Sequence, residues 1–133
     1  MDLIIDNPRR PDIRFCRSGL IRITAPLVRT LGLRPGDPLL VSVSDGEYLL
    51  HTHRRRIGGA RFEAQCYPSK QGGRNFCAHS VRLCRAIFSA LSLGEDVDYA
   101  AFITGQKIIL DENIFVPVIT SNRSFISYLP KDE

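Results

Sequence analysis

Three histidines and four cysteines are the first residues of this 133-residue chain that invite a chemical reading. His51 and His53, spaced H-x-H, would lie on one face of a strand, as paired zinc ligands do. Cys16, Cys66, Cys77 and Cys84 do not complete such a site, because none has C-x-x-C spacing and none stands at ligand distance from the histidine pair. The expectation is buried thiols, no metal and no cofactor. Covalent catalysis is no better served. There is no G-x-S-x-G elbow, no spaced carboxylate pair and no cysteine with an evident base, so no enzyme is expected.

What remains is cationic chemistry. The net charge is +4, and it is unevenly spread: residues 1–74 carry 13 Lys/Arg against 7 Asp/Glu, whereas residues 75–133 carry 5 against 7. Twelve of those first 13 cations are arginine, whose planar fork matches phosphate geometry. A basic half of this kind suits a polyanion such as DNA. The run Arg54-Arg55-Arg56 before Gly58-Gly59 could act as a basic arm, or equally as a solvated loop. No apolar run approaches the roughly 20 residues that span a bilayer, and Met1–Pro11 has no apolar signal core. The sequence therefore reads as cytoplasmic, without membrane contact.

The elements that must carry these residues follow from periodicity. Leu20–Thr24 alternates as a half-buried strand does, with Ile21 and Ile23 on one face and Arg22 on the other. Pro26 suits a first helical turn, Leu27, Val28 and Leu31 make a short apolar stripe, and Gly32 suits a left-handed helix end. Arg34–Asp37 is a turn by composition. Leu39–Val43 and Glu47–His51 are strands joined through Asp45-Gly46, a strong hairpin signal. After residue 112, two apolar runs, Ile114–Ile119 and Phe125–Leu129, suggest an added edge hairpin, with Pro117 favouring an edge.

The same order recurs sixty residues on. An ungapped overlay sets Val81-Arg82-Leu83 on Ile21-Arg22-Ile23, Ile87-Phe88 on Leu27-Val28, and Leu91 and Leu93 on Leu31 and Leu33. It sets Gly105-Gln106 on the Asp45-Gly46 turn and Ile108–Leu110 on Tyr48–Leu50. Neither half is long enough to bury its own apolar face, so the two are expected to pack on each other.

The stretch Gly19–Asp37, G-L-I-R-I-T-A-P-L-V-R-T-L-G-L-R-P-G-D, resembles the AbrB/SpoVT/MazE-type swapped-hairpin family. The matching positions are Gly19, Ile21, Ile23, Leu27, Leu31, Gly32, Leu33, Gly36 and Asp37. Leu20, Thr24 and Val28 depart from the usual wording, and His79 replaces the glycine in the second copy. The resemblance implies a mostly β fold with short helices, built from tandem swapped-hairpin units closing into an intramolecular pseudo-dimer β-barrel. Its parts would be a first repeat at 12–52, a linker with an extra strand at 53–71, a degenerate second repeat at 72–112 and a C-terminal edge hairpin or tail at 113–133.

By the same resemblance, the function implied is a DNA-binding transcriptional regulator. Its phosphate-facing residues would be Arg14, Arg17 and Arg29 in the first copy, with the solvent-facing strand residue Arg22 close by, and, by the sixty-residue offset, Arg74, Arg82 and Arg85 in the second. Arg54, Arg55 and Arg56 would add the separate basic arm. The alternative is a non-enzymatic protein-interaction module, antitoxin-like or an assembly protein, that engages a partner through Asn113–Pro130. Either reading is compatible with a homo-oligomer.

Overall fold

The computed structural model describes residues 11–53, 64–70, 73–120 and the backbone of 126–128. The described chain is mostly β, with two helices. β1 (Ile13–Cys16) and β2 (Leu20–Ile23) form a hairpin whose alternation sends Ile13, Phe15, Ile21 and Ile23 inward, each at most 1% exposed. α1 (Ala25–Leu31) follows at once and buries Leu27, Val28 and Leu31. Gly32 ends it at φ 70°, and the N–H of Leu33 reaches back to the Val28 carbonyl at 3.1 Å. β3 (Pro38–Ser44) and β4 (Glu47–His51) form the expected hairpin; Asp45 and Gly46 both have positive φ, the geometry that matches strand twist.

β5 (Ala64–Gln65) and β6 (Tyr67–Pro68) are two short strands either side of Cys66. β5 pairs with β3, and β6 pairs with β7 (Phe76–His79). α2 (Val81–Ala90) then starts at Ser80, whose Oγ accepts the Leu83 N–H at 3.1 Å. The remaining strands are β8 (Val97–Phe102), β9 (Ile108–Leu110), β10 (Asn113–Val118) and β11 (Ile126–Tyr128).

The strands make two antiparallel sheets, in the orders β11-β8-β1-β2-β7-β6 and β5-β3-β4-β10-β9. Their inner faces meet with α2 around Phe15, Val41, Leu50, Ile87 and Phe102. The expected closed barrel is not formed: neither sheet closes on itself among the described strands. The two sheets are instead linked where β8 ends. The chain leaves the sheet of β1 there, Gly105 donates to the Pro117 carbonyl at 2.8 Å, and β9 continues beside β10 in the other sheet.

The sixty-residue spacing holds at the helix ends and fails on either side. Ser92 is left-handed as Gly32 is, and Leu93 donates to the Phe88 carbonyl at 2.9 Å as Leu33 does to that of Val28. The turns that follow also match, with Asp37 donating to Arg34 and Val97 to Gly94. Upstream, however, Val81-Arg82-Leu83 is helix, not strand, because the Ser80 cap starts α2 a turn earlier than the overlay allows. The strand that precedes it, β7, pairs with β2 through Leu20↔His79 to Ile23↔Phe76. Downstream, the tight turn is Asp111-Glu112, with φ 51° and 69°, and not Gly105-Gln106.

The C-terminal apolar runs do not form a hairpin with one another. β10 lies inside the second sheet between β4 and β9, whereas β11 pairs with β8 at the edge of the first. Pro117 is tolerated inside because its carbonyl faces Gly105, so its missing N–H also faces away from β4.

Candidate nucleic-acid interface

The outer face of the six-stranded sheet is where the basic residues of the first hairpin emerge. Since alternate side chains leave a strand on opposite sides, burying Ile13 and Phe15 turns Arg14 and Cys16 outward. Burying Ile21 and Ile23 does the same for Leu20 and Arg22, and burying Phe76 and Ala78 for Cys77 and His79. Register then lines these residues up across strands. Arg14 stands opposite Arg22, Arg22 opposite Cys77, and Cys77 opposite Tyr67, which is 45% exposed.

Two local features define the electrostatics of this face. The Arg14 guanidinium lies over the Tyr99 ring, 4.4 Å from its centroid, a cation–π contact that lays it along the sheet. Burial pushes the Cys16 thiol up from its ordinary value, while the positive charges of Arg14 and Arg22 pull it back down and Asp98 adds to the rise. Both arginines thus bear on the same patch of sheet. An arrangement of this kind can receive an anion, above all a phosphate oxygen, through charge-assisted hydrogen bonds.

The other arginines singled out in the sequence are placed differently. Arg17 is turned away from that face: its Nε donates to the Val97 carbonyl at 2.8 Å and its Nη2 to that of Gly94 at 2.6 Å. Its guanidinium also sits 4.6 Å from the centroid of Phe88 on α2. Arg29 is exposed on the last turn of α1. Arg74 is exposed in the loop before β7, next to Asn75, whose Oδ1 accepts the Ala25 N–H at the start of α1 at 2.8 Å. Arg82 and Arg85 are exposed on α2, so neither occupies the strand position that the sixty-residue overlay gave Arg82. Arg54, Arg55 and Arg56 lie outside the described residues.

Tyr99 and Tyr67 belong to the face and were not singled out by sequence. Their places depend on pairings of β8 with β1 and of β6 with β7, one of them spanning more than eighty residues, and no local pattern announces them.

The histidines and cysteines behave as separate groups. His51 Nε2 lies 2.7 Å from Ser42 Oγ and its ring packs on Phe115. Burial lowers its pKa, and the nearby His53 lowers it further. Among the described residues, no group of three or more His, Cys, Asp or Glu side chains is positioned to hold a metal ion. All four cysteines are free thiols; Cys66 and Cys84 are buried, with pKa values pushed up to about 12 and about 11.

No protein-family model, no curated protein and no solved structure matches this chain.

Proposed function

We propose that this chain is a non-enzymatic, DNA-binding transcriptional regulator of the AbrB/SpoVT type, gripping phosphates through the outer face of its six-stranded sheet. The observation that carries the reading is the register of β1 against β2, which sets Arg14 directly opposite Arg22. Like charges directly opposite in an antiparallel pair repel and are unfavourable in themselves. A phosphate bound across this face would offset that repulsion, with the Arg14 fork held along the sheet on the β8 side by the Tyr99 ring.

The finer architecture we read as two swapped-hairpin units within one chain, the second serving as a built-in partner. Strand pairing between the halves supports it. β1 of the first repeat lies beside β8 of the second, and β5, in the stretch read from sequence as the linker, lies beside β3 of the first. The first half also meets later strands directly: β2 pairs with β7, and β4 with β10 of the C-terminal stretch. In the β4–β10 pair Leu50 stands opposite Val116, both essentially unexposed, where the two halves join.

The alternative of a partner-binding tail at Asn113–Pro130 has less to rest on. β10 is an internal strand with Val116 buried, not a projecting segment.

The test is a fluorescence-anisotropy titration of mixed-sequence duplex DNA at about 50 mM salt, where phosphate contacts are strong. Wild type should bind, and Arg14→Ala/Arg22→Ala should lose about tenfold or more in affinity. Arg17→Ala should lose far less, since that side chain is engaged elsewhere. Absence of binding, or equal affinity for wild type and the double variant, would overturn the proposal.

A further inference from the structure

Strand β9 is the outermost strand of the five-stranded sheet, and it is apolar. Ile108, Ile109 and Leu110 are 38%, 60% and 56% exposed. Among the described strands, none lies on its far side. Exposed, apolar, β-branched edges are the kind that recruit another strand.

The hairpin geometry says which backbone groups are on offer. Leu110 and Asn113 flank the two-residue turn Asp111-Glu112, so they form the closing pair that exchanges hydrogen bonds. Ile108 therefore also faces β10 with its polar backbone groups, and Ile109 turns its N–H and C=O to the open edge. Lys107 precedes the strand and Asp111 follows it, which gives the sequence K-I-I-L-D.

We propose that β9 pairs antiparallel with β9 of a second copy of this chain, about a two-fold axis through Ile109. In that register Ile109 exchanges both hydrogen bonds with its own counterpart, using the groups that already point outward. Ile108 faces Leu110 of the other copy, and Lys107, just before the strand, comes near Asp111, the first turn residue after it in the other copy, once on each side of the axis. Shifting the axis to residue 108 or 110 retains outward-facing groups but sets Lys107 against Ile109, or Asp111 against Ile109, and separates the charges. Opposite charges brought close at the two ends of the ladder favour it and a lone charge beside isoleucine does not, so the self-complementary register is selected. The interface is isologous: the same patch serves both copies, and the assembly closes at two. It would join the two five-stranded sheets edge to edge. The inference does not depend on the DNA reading, since it involves the other sheet.

The experiment is sedimentation equilibrium of the full chain up to about 200 µM, a range that captures micromolar association. Wild type is expected to reach twice the monomer mass. Lys107→Asp and Asp111→Lys should each be monomeric, because each creates two like-charge pairs across the axis. An equimolar mixture of the two variants should regain the dimer, since both cross-axis pairs are then opposite in sign. Ile109→Lys, which leaves the turn untouched, should also be monomeric with an unchanged circular dichroism spectrum. A wild type that stays monomeric overturns the proposal, as does a dimer that survives Ile109→Lys or both charge variants. Folded charge variants that fail to associate when mixed overturn it too.

Discussion

The buried carboxylate of Asp12 accepts two hydrogen bonds from Thr104, one from its backbone N–H and one from its hydroxyl, each 2.8 Å long. The two residues are ninety-two positions apart, so the contact ties the start of β1 to the end of β8. Thr104 is itself 6% exposed and has little water to turn to. Asp12→Ala should therefore cost about 2–4 kcal/mol of unfolding free energy, because it leaves a buried N–H and a hydroxyl without their acceptor. Urea denaturation measures this directly, and a loss within about 0.5 kcal/mol of zero would contradict it.

Arg17 is expected to be a stability residue. It satisfies two carbonyls at the turn leaving α2 and stacks on Phe88, so it fastens the first hairpin to the second half. Arg17→Ala should lower stability by about 1–3 kcal/mol. Arg17→Lys should recover only a part of this, because an ammonium cannot reproduce the planar fork and its stacking. Full rescue by lysine in thermal melts would argue against this geometry.

Two glycines with positive φ should differ sharply. Gly19 has φ +105°, and a Cβ there would stand 2.8 Å from Val81 Cγ2 and 3.0 Å from His79 Nε2. Gly32 has φ +70° with nothing within 4 Å of the added atom. Gly32→Ala should cost about 1 kcal/mol, the left-handed backbone alone. Gly19→Ala adds overlap with packed side chains and should cost about 3 kcal/mol or more. Parallel chemical denaturation of the two variants decides the order.

Thiol chemistry should divide the cysteines. The thiolate is the reactive form, and burial pushes Cys66 up to about 12 and Cys84 up to about 11. At pH 8 both remain protonated as well as buried, so a thiol reagent should leave them unmodified in the native protein. Cys77, half-buried on the outer face, should react first, and Cys77→Ser should remove the fastest phase. Uniform labelling of all four sites under native conditions would contradict this division.

Local signals were legible where the backbone itself is demanding. Asp45-Gly46 marks its hairpin and Gly32 its helix end because each supplies a positive φ that few residues adopt readily. The alternation of Ile21 and Ile23 around Arg22 correctly gives an outward arginine. The second half was harder because its insertions shift the register. Ser80 with the spacing of Cys84, Ile87, Phe88 and Leu91 does carry a helix signal, but the ungapped overlay assigned the start of that segment to a strand. Asp111-Glu112 is a tight turn in which Asp111 is an ordinary turn residue but Glu112, at φ 69°, stands where glycine would have advertised the turn. The opposition of Arg14 and Arg22 follows from a short hairpin and could be inferred locally. The diversion of Arg17 to carbonyls some eighty residues away could not, because only the assembled fold brings them together.

The central claim is that Arg14 and Arg22 contact phosphate, and the salt dependence of DNA binding tests it most directly. For wild type, the logarithm of the binding constant should fall linearly with the logarithm of salt concentration, at about 0.9 per phosphate neutralised. Arg14→Ala/Arg22→Ala should reduce that slope by about 2, in addition to weakening binding at every salt concentration. A slope unchanged in the double variant, or binding indifferent to salt in wild type, would contradict the account.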